Sequence, residues 1–140
     1  MTVSKELAIK MKEKGFPQGK SYFYYCEDRE REGGEITGII FYPKPTAEAR
    51  MHNSPDLQTW AAPTASEILA ELPVEIKEGK GFYDADLSIS FFKGKIEVQY
   101  EGVDGHGSCS DVTTPFFIEA DTLEEALGEM YCKLKEDGVI

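Results

Sequence analysis

Between Leu123 and Leu134 the apolar residues Leu123, Ala126, Leu127, Met130, Tyr131 and Leu134 form one stripe on a 3.6-residue period. This predicts a helix docked by one face. Thr122 and Glu125 are spaced as a capping box, and Gly138 offers a left-handed stop. A second helical pattern runs from Ser4 to Lys14, with Val3, Leu7 and Met11 on one face and Gly15 and Pro17 at its end. A third starts at Pro63-Thr64, buries Ile68, Leu69 and Leu72, and stops at Pro73.

Elsewhere the period drops to two. Ser21–Cys26 and Gly34–Tyr42 are rich in aromatic and β-branched residues around a charged, glycine-containing turn, Glu27 to Glu32 with Gly33-Gly34, which predicts a hairpin. Both of its faces are apolar, so either helices cover both or one aromatic face is open to a partner. In a second hairpin Ala85, Leu87, Ile89 and Phe91 alternate with Asp86, Ser88 and Ser90, Lys93-Gly94 turns, and Ile96, Val98 and Tyr100 alternate with Glu97 and Gln99. One face is buried and the other wet. Pro115 to Ile118 supplies a further short strand. Residues 43–62, with Pro43, Pro45 and Pro55, read as a long loop with a short helical turn begun by Thr46 and with Trp60 near its end. The expectation is a single α+β domain over residues 1–140, antiparallel hairpins packed against two or three helices in the order α-β-β-α-β-β-β-α.

Charge changes the picture more than composition does. The net charge is −11, and residues 61–140 carry all of it, with 17 acidic and 6 basic side chains against 9 of each in residues 1–60. An acidic half repels phosphate, which argues against direct nucleic-acid or anionic-membrane binding and for basic protein partners or cations. The plainer function of such acidity is solubility. Cys26, Cys109 and Cys132 are odd in number and widely separated, as expected of reduced thiols. With neither a leader pattern nor an apolar run of bilayer length in the sequence, the cytoplasm is the expected location.

Candidate chemistry gathers in the glycine-rich loop before the last strand. Asp104, His106, Cys109 and Asp111 form a donor set suited to a zinc-like ion, although their spacing matches no established metal motif and a polar connecting loop explains them as well. Cys109 with His106 or His52 would make a thiol catalyst only with a stabilised thiolate, which an acidic loop opposes. Ser108 and Ser110 lack the strand-elbow-helix setting of a serine nucleophile. Gly102, Gly105 and Gly107 are followed by no helix start that could cradle phosphate. Asp84 and Asp86, continued by Ser88 and Ser90, read as a solvated sheet face. For binding, Tyr22 and Tyr24 share a strand face and Trp60 ends the long loop.

Leu7-Ala8 with Lys10, Gly15-Phe16-Pro17-Gln18, the aromatic run Tyr22 to Tyr25, Ala62-Pro63-Thr64 with Glu67, Leu69 and Leu72-Pro73, and the run Ala120 to Leu127 together resemble a type of small uncharacterised accessory protein encoded by phages and prophages. These positions are helix caps and core residues, about half of the chain, and the resemblance brings no catalytic residue with it. It implies an accessory role. The function expected is protein binding without a cofactor, as an acidic inhibitor or adaptor; the alternatives are a metal- or thiol-dependent enzyme centred on residues 102–111 and a self-associating structural protein.

Overall fold

A computed structural model of the chain describes residues 1–29, 36–77, 84–103 and 112–140. The protein is α+β, with four helices and two antiparallel sheets among the described residues. It divides into two compact units, Met1–Glu67 and Ile68–Ile140.

The first unit opens with α1 (Lys5–Glu13). Ser4 Oγ accepts a hydrogen bond from the Leu7 amide at 3.3 Å, and Gly15 takes φ +89° just past the helix end, where a side chain would be strained. Strands β1 (Phe23–Arg29) and β2 (Ile36–Pro43) follow, then α2 (Lys44–Asn53) and β3 (Thr59–Ala61), giving a sheet in the order β2-β1-β3. Tyr24, Cys26 and Ala61 on one face of this sheet form a buried cluster with Ala47 of α2, and Tyr42 and Met51 pack at its margin. Arg50 of α2 lies over the Tyr42 ring and binds Asp28 of β1 at 3.1 Å.

Two expectations for this region change. The stretch taken as a loop holds a ten-residue helix and a strand. Pro45 stands in the first turn of α2, where its missing N–H is not needed, and Pro43 ends β2, so neither proline breaks an element. The charged run does not all belong to a turn either: Glu27, Asp28 and Arg29 continue β1, paired with Ile39, Gly38 and Ile36. Glu27 is buried, its carboxylate accepting from the Gln58 amide at 3.1 Å. The remainder of the run lies outside the described residues.

Helix α3 (Ala65–Leu69) spans the boundary between the units. Thr64 and Glu67, three apart, form a capping box, with the Thr64 amide donating to Glu67 Oε2 at 2.7 Å. The second unit holds β4 (Glu75–Ile76), β5 (Ala85–Phe92), β6 (Lys95–Val103), β7 (Val112–Ala120) and α4 (Leu123–Glu136), with the strands in that spatial order. Helix α4 keeps its expected caps: Thr122 Oγ1 accepts from the Glu125 amide at 3.2 Å, Gly138 has φ +71°, and the Val139 amide closes onto the Leu134 carbonyl at 2.8 Å. It packs on β6 and β7, and Ile96, Val98, Tyr100, Leu127, Met130 and Leu134 are all buried. The row Ala85, Leu87, Ile89, Phe91 was expected to be buried throughout. Only its start is. Because the helix lies along the other two strands, Ile89 is exposed and Phe91 is 77% exposed.

Candidate functional site

The outer face of the second sheet is built by a turn and an alternation. Lys93 (φ 49°) and Gly94 (φ 78°) both occupy the left-handed region, the signature of a two-residue type I′ turn, whose twist matches that of the flanking strands. The turn pairs Phe92 with Lys95, and from there every partner follows: Ser90 faces Glu97, Ser88 faces Gln99, and Asp86 faces Glu101. On β7, Glu119 stands opposite Glu97 and Phe117 opposite Gln99. On β4, Glu75 stands opposite Asp86. Directly opposed residues of an antiparallel pair lie on the same face, about 5 Å apart at Cβ.

The result is a carboxylate row, Glu75, Asp86 and Glu101, across three adjacent strands, with a second pair, Glu97 and Glu119, further along. Asp86, Glu101 and Glu119 are exposed. Ser90 Oγ donates to Glu97 Oε2 at 3.3 Å and the Gln99 amide donates to Glu101. Two lysines border the face. Lys77 binds Glu75 and lies 3.6 Å from Asp84, and Lys95 binds Asp121. Both ammonium groups are held above their ordinary pKa, Lys77 chiefly by its hydrogen bond to Glu75 with Asp84 adding, and Lys95 chiefly by its hydrogen bond to Asp121 with Glu119 adding more weakly. Phe117 presents an exposed ring between the carboxylates, and Phe92 presents another at the hairpin end, opposite Lys95. A strongly negative surface with aromatic anchors can dock a basic, partly apolar protein surface.

The expected binding residues separate. Tyr22 precedes β1 and is 69% exposed, its ring centre 6.2 Å from that of Phe23. Tyr24, two positions on, is 4% exposed: it points into the cluster under α2 and its hydroxyl donates to the Gln18 carbonyl at 2.6 Å. Burial raises its pKa, with Glu48 and Glu67 adding. Trp60 is also buried, on the other face of the same sheet, with the Lys12 ammonium 5.8 Å from its ring centre. That face carries an aromatic group the sequence reading did not single out. Phe23 and Phe41 stack at 5.1 Å, Tyr25 tilts against Phe41 at 5.4 Å, and Phe41 remains 43% exposed.

Asp104, His106, Cys109 and Asp111 lie outside the described residues. Among the described residues no group of three or more His, Cys, Asp or Glu is arranged to hold a metal ion, and no helix is long and apolar enough to cross a membrane. Cys26 and Cys132 are both buried; burial pushes the Cys26 thiol up, against the smaller opposing effect of Arg50. His52 is exposed near the end of α2. The carboxylate face was foreshadowed by the alternation Asp86, Ser88, Ser90, but its extent depends on strand register, which no single strand displays. Compared with models of known protein families, with curated protein sequences and with solved structures, the chain matches none.

Proposed function

We propose that the protein acts by binding a partner protein with a basic surface, using the outer face of the second sheet as the interface. The opposed carboxylates carry this reading. Like charges placed directly across a strand pair destabilise a sheet, so Glu97 against Glu119 and Asp86 against Glu101 oppose folding, while Lys77 offsets the charge of Glu75. A cationic partner turns that repulsion into affinity, and it would steer association at a rate that falls with salt. Exposed Phe117 supplies the apolar contact that charge alone lacks. This fits an inhibitor or adaptor of the accessory kind found in phages, working in the cytoplasm, where Cys26 and Cys132 stay reduced.

The test is affinity capture from a lysate of the cell that makes the protein, comparing the wild type with the triple variant Glu97→Gln, Glu101→Gln, Glu119→Gln. A partner retained by the wild type, released by moderate salt and lost from the variant is expected. Equal, salt-insensitive retention by both would remove this face from consideration.

The stack of half-buried Phe23 on exposed Phe41, with exposed Tyr22 beside it, favours a second reading in which the first hairpin contacts an apolar segment of the partner. Tyr22→Ser with Phe41→Ser tests it without touching the core, whereas Tyr24→Ser would empty a buried site. Loss of capture in this pair, with the triple variant unaffected, would move the interface to the hairpin.

A further inference from the structure

Strand β5 has only part of its outer edge covered. The Leu87 amide donates to the Val74 carbonyl at 3.0 Å, so Leu87 turns its backbone groups toward β4. Alternation then turns the N–H and C=O of Ile89 and Phe91 to the same side, while Ser88, Ser90 and Phe92 turn theirs toward β6. Strand β4 does not reach Ile89. Its pairing with β5 covers Ala85 and Asp86, and the chain before Val74 leaves the edge for the face where the Tyr100 hydroxyl donates to the Pro73 carbonyl at 2.6 Å. Among the described residues, then, two hydrogen-bonding residues stand on an edge that no strand covers, beneath exposed Ile89, Phe91 and Phe92.

Nothing in the segment Leu87–Phe92, LSISFF, blunts that edge. It has no charge, no proline and no glycine, in a chain with 29% charged residues. The opposite edge of the same sheet is formed by β7, which carries Pro115 and Glu119, two of the usual devices against strand addition. An uncharged, β-prone hexapeptide on a bare edge is a pairing template.

We propose that this edge is where a second copy of the chain docks, β5 against β5 in antiparallel register about a two-fold axis at Ser90. In that register Ile89 faces Phe91 of the other copy and Phe91 faces its Ile89, so the outward backbone groups of both residues are satisfied on both copies. Ser90 faces its own equivalent on the outer face, and Phe92 faces Ser88. The charge pattern selects a copy of the chain over a foreign strand. One end of β5 is acidic, with Glu75, Asp84, Asp86 and Glu101 against Lys77, and its hairpin end carries Lys93, with Lys95 bound to Asp121, so an antiparallel two-fold sets the acidic end of each copy beside Lys93 of the other. The dimer sheet is continuous through β7, β6 and β5 of both copies, with each β4 sharing the outer edge of its own β5, and it brings two carboxylate faces onto one surface.

Sedimentation equilibrium of the full chain tests this with two variants. Ile89→Pro removes an N–H that faces outward and leaves the bonds to β6 intact. Ser90→Lys places like charges across the axis while Glu97 is available to it within the copy. The wild type is expected to dimerise, and each variant, with an unchanged circular dichroism spectrum, to weaken the dimer by at least about tenfold in Kd. A wild type that stays monomeric up to about 1 mM, or a dimer that Ser90→Lys leaves intact, would overturn the proposal. Ile89 lies on the opposite face from Glu97, Glu101 and Glu119, so capture of a partner by Ile89→Pro separates a failure of dimerisation from a failure of partner binding, whereas Ser90→Lys, on the carboxylate face beside Glu97, is read for dimerisation alone.

Discussion

A single side chain's role here is decided by where its strand ends and what lies above it. Tyr22 and Tyr24 have the same chemistry and the same parity, yet Tyr24 sits beneath α2 while Tyr22 stands before the first strand residue, in water. Tyr100 shows what burial does to chemistry. It is fully buried, its hydroxyl donates to the Pro73 carbonyl, and desolvation pushes its pKa from 10.0 up to about 12. The folded state therefore holds this proton at a pH where the unfolded chain has lost it. Stability from this group is complete below pH 10 and is lost as pH rises toward 12, by on the order of 2 kcal/mol. Tyr24 and Tyr131, also raised chiefly by burial, act in the same direction. Urea unfolding of Tyr100→Phe should show lower stability at neutral pH, because the Pro73 carbonyl loses its donor, but a shallower decline above pH 10 than the wild type. An equally steep decline would mean that the phenol is not desolvated.

Among the elements, the β5–β6 hairpin governs the functional reading, because its turn sets which residues share the outer face. With φ 78° Gly94 occupies a region that costs other residues roughly 1–2 kcal/mol, while the space around it is open. Gly94→Ala should lower stability by about 1 kcal/mol through the backbone alone, and Lys93→Asn, at φ 49°, should raise it by a few tenths, since asparagine tolerates this conformation better. Thermal unfolding of both checks the assignment, and loss of stability in Lys93→Asn would contradict a type I′ turn. The helices were legible for a simpler reason. The N-cap of α1 at Ser4 and the Thr-x-x-Glu starts of α3 and α4 are local signals, each contained within four residues, and each makes its capping hydrogen bond. Helix α2 was hidden because it buries only Ala47 fully and opens among prolines, so neither its apolar stripe nor its start stands out.

For the molecule as a whole, the acidic second half becomes informative only when its carboxylates are located. Glu97 and Glu119, 22 positions apart in sequence, meet across one strand pair. In the proposed reading this pairing serves affinity for a cationic partner at the expense of the sheet that carries it. Activity and stability are then in tension. Glu119→Gln should raise stability by a few tenths of a kcal/mol at low salt by removing the repulsion, and the gain should shrink as salt is added. The same change should weaken capture of a basic partner. Chemical denaturation at two salt concentrations, beside the capture assay, reads both effects; a variant less stable than the wild type at low salt would show that the pair is not repulsive.

The sequence by itself determined the α+β class, the helix caps, the turn at Lys93-Gly94 and the alternation that keeps Asp86, Ser88 and Ser90 off the core, because each depends on residues within a few positions of one another. Tertiary structure decided everything that depends on which strands are neighbours. It placed Tyr24 inside and Tyr22 outside, joined Glu75, Asp86 and Glu101 into one row, and stacked Phe23 on Phe41. It also left Ile89 and Phe91 uncovered, since α4 lies along β6 and β7. Register, strand order and the line along which a helix crosses a sheet are set by packing between distant segments, and a period along one segment carries no record of them.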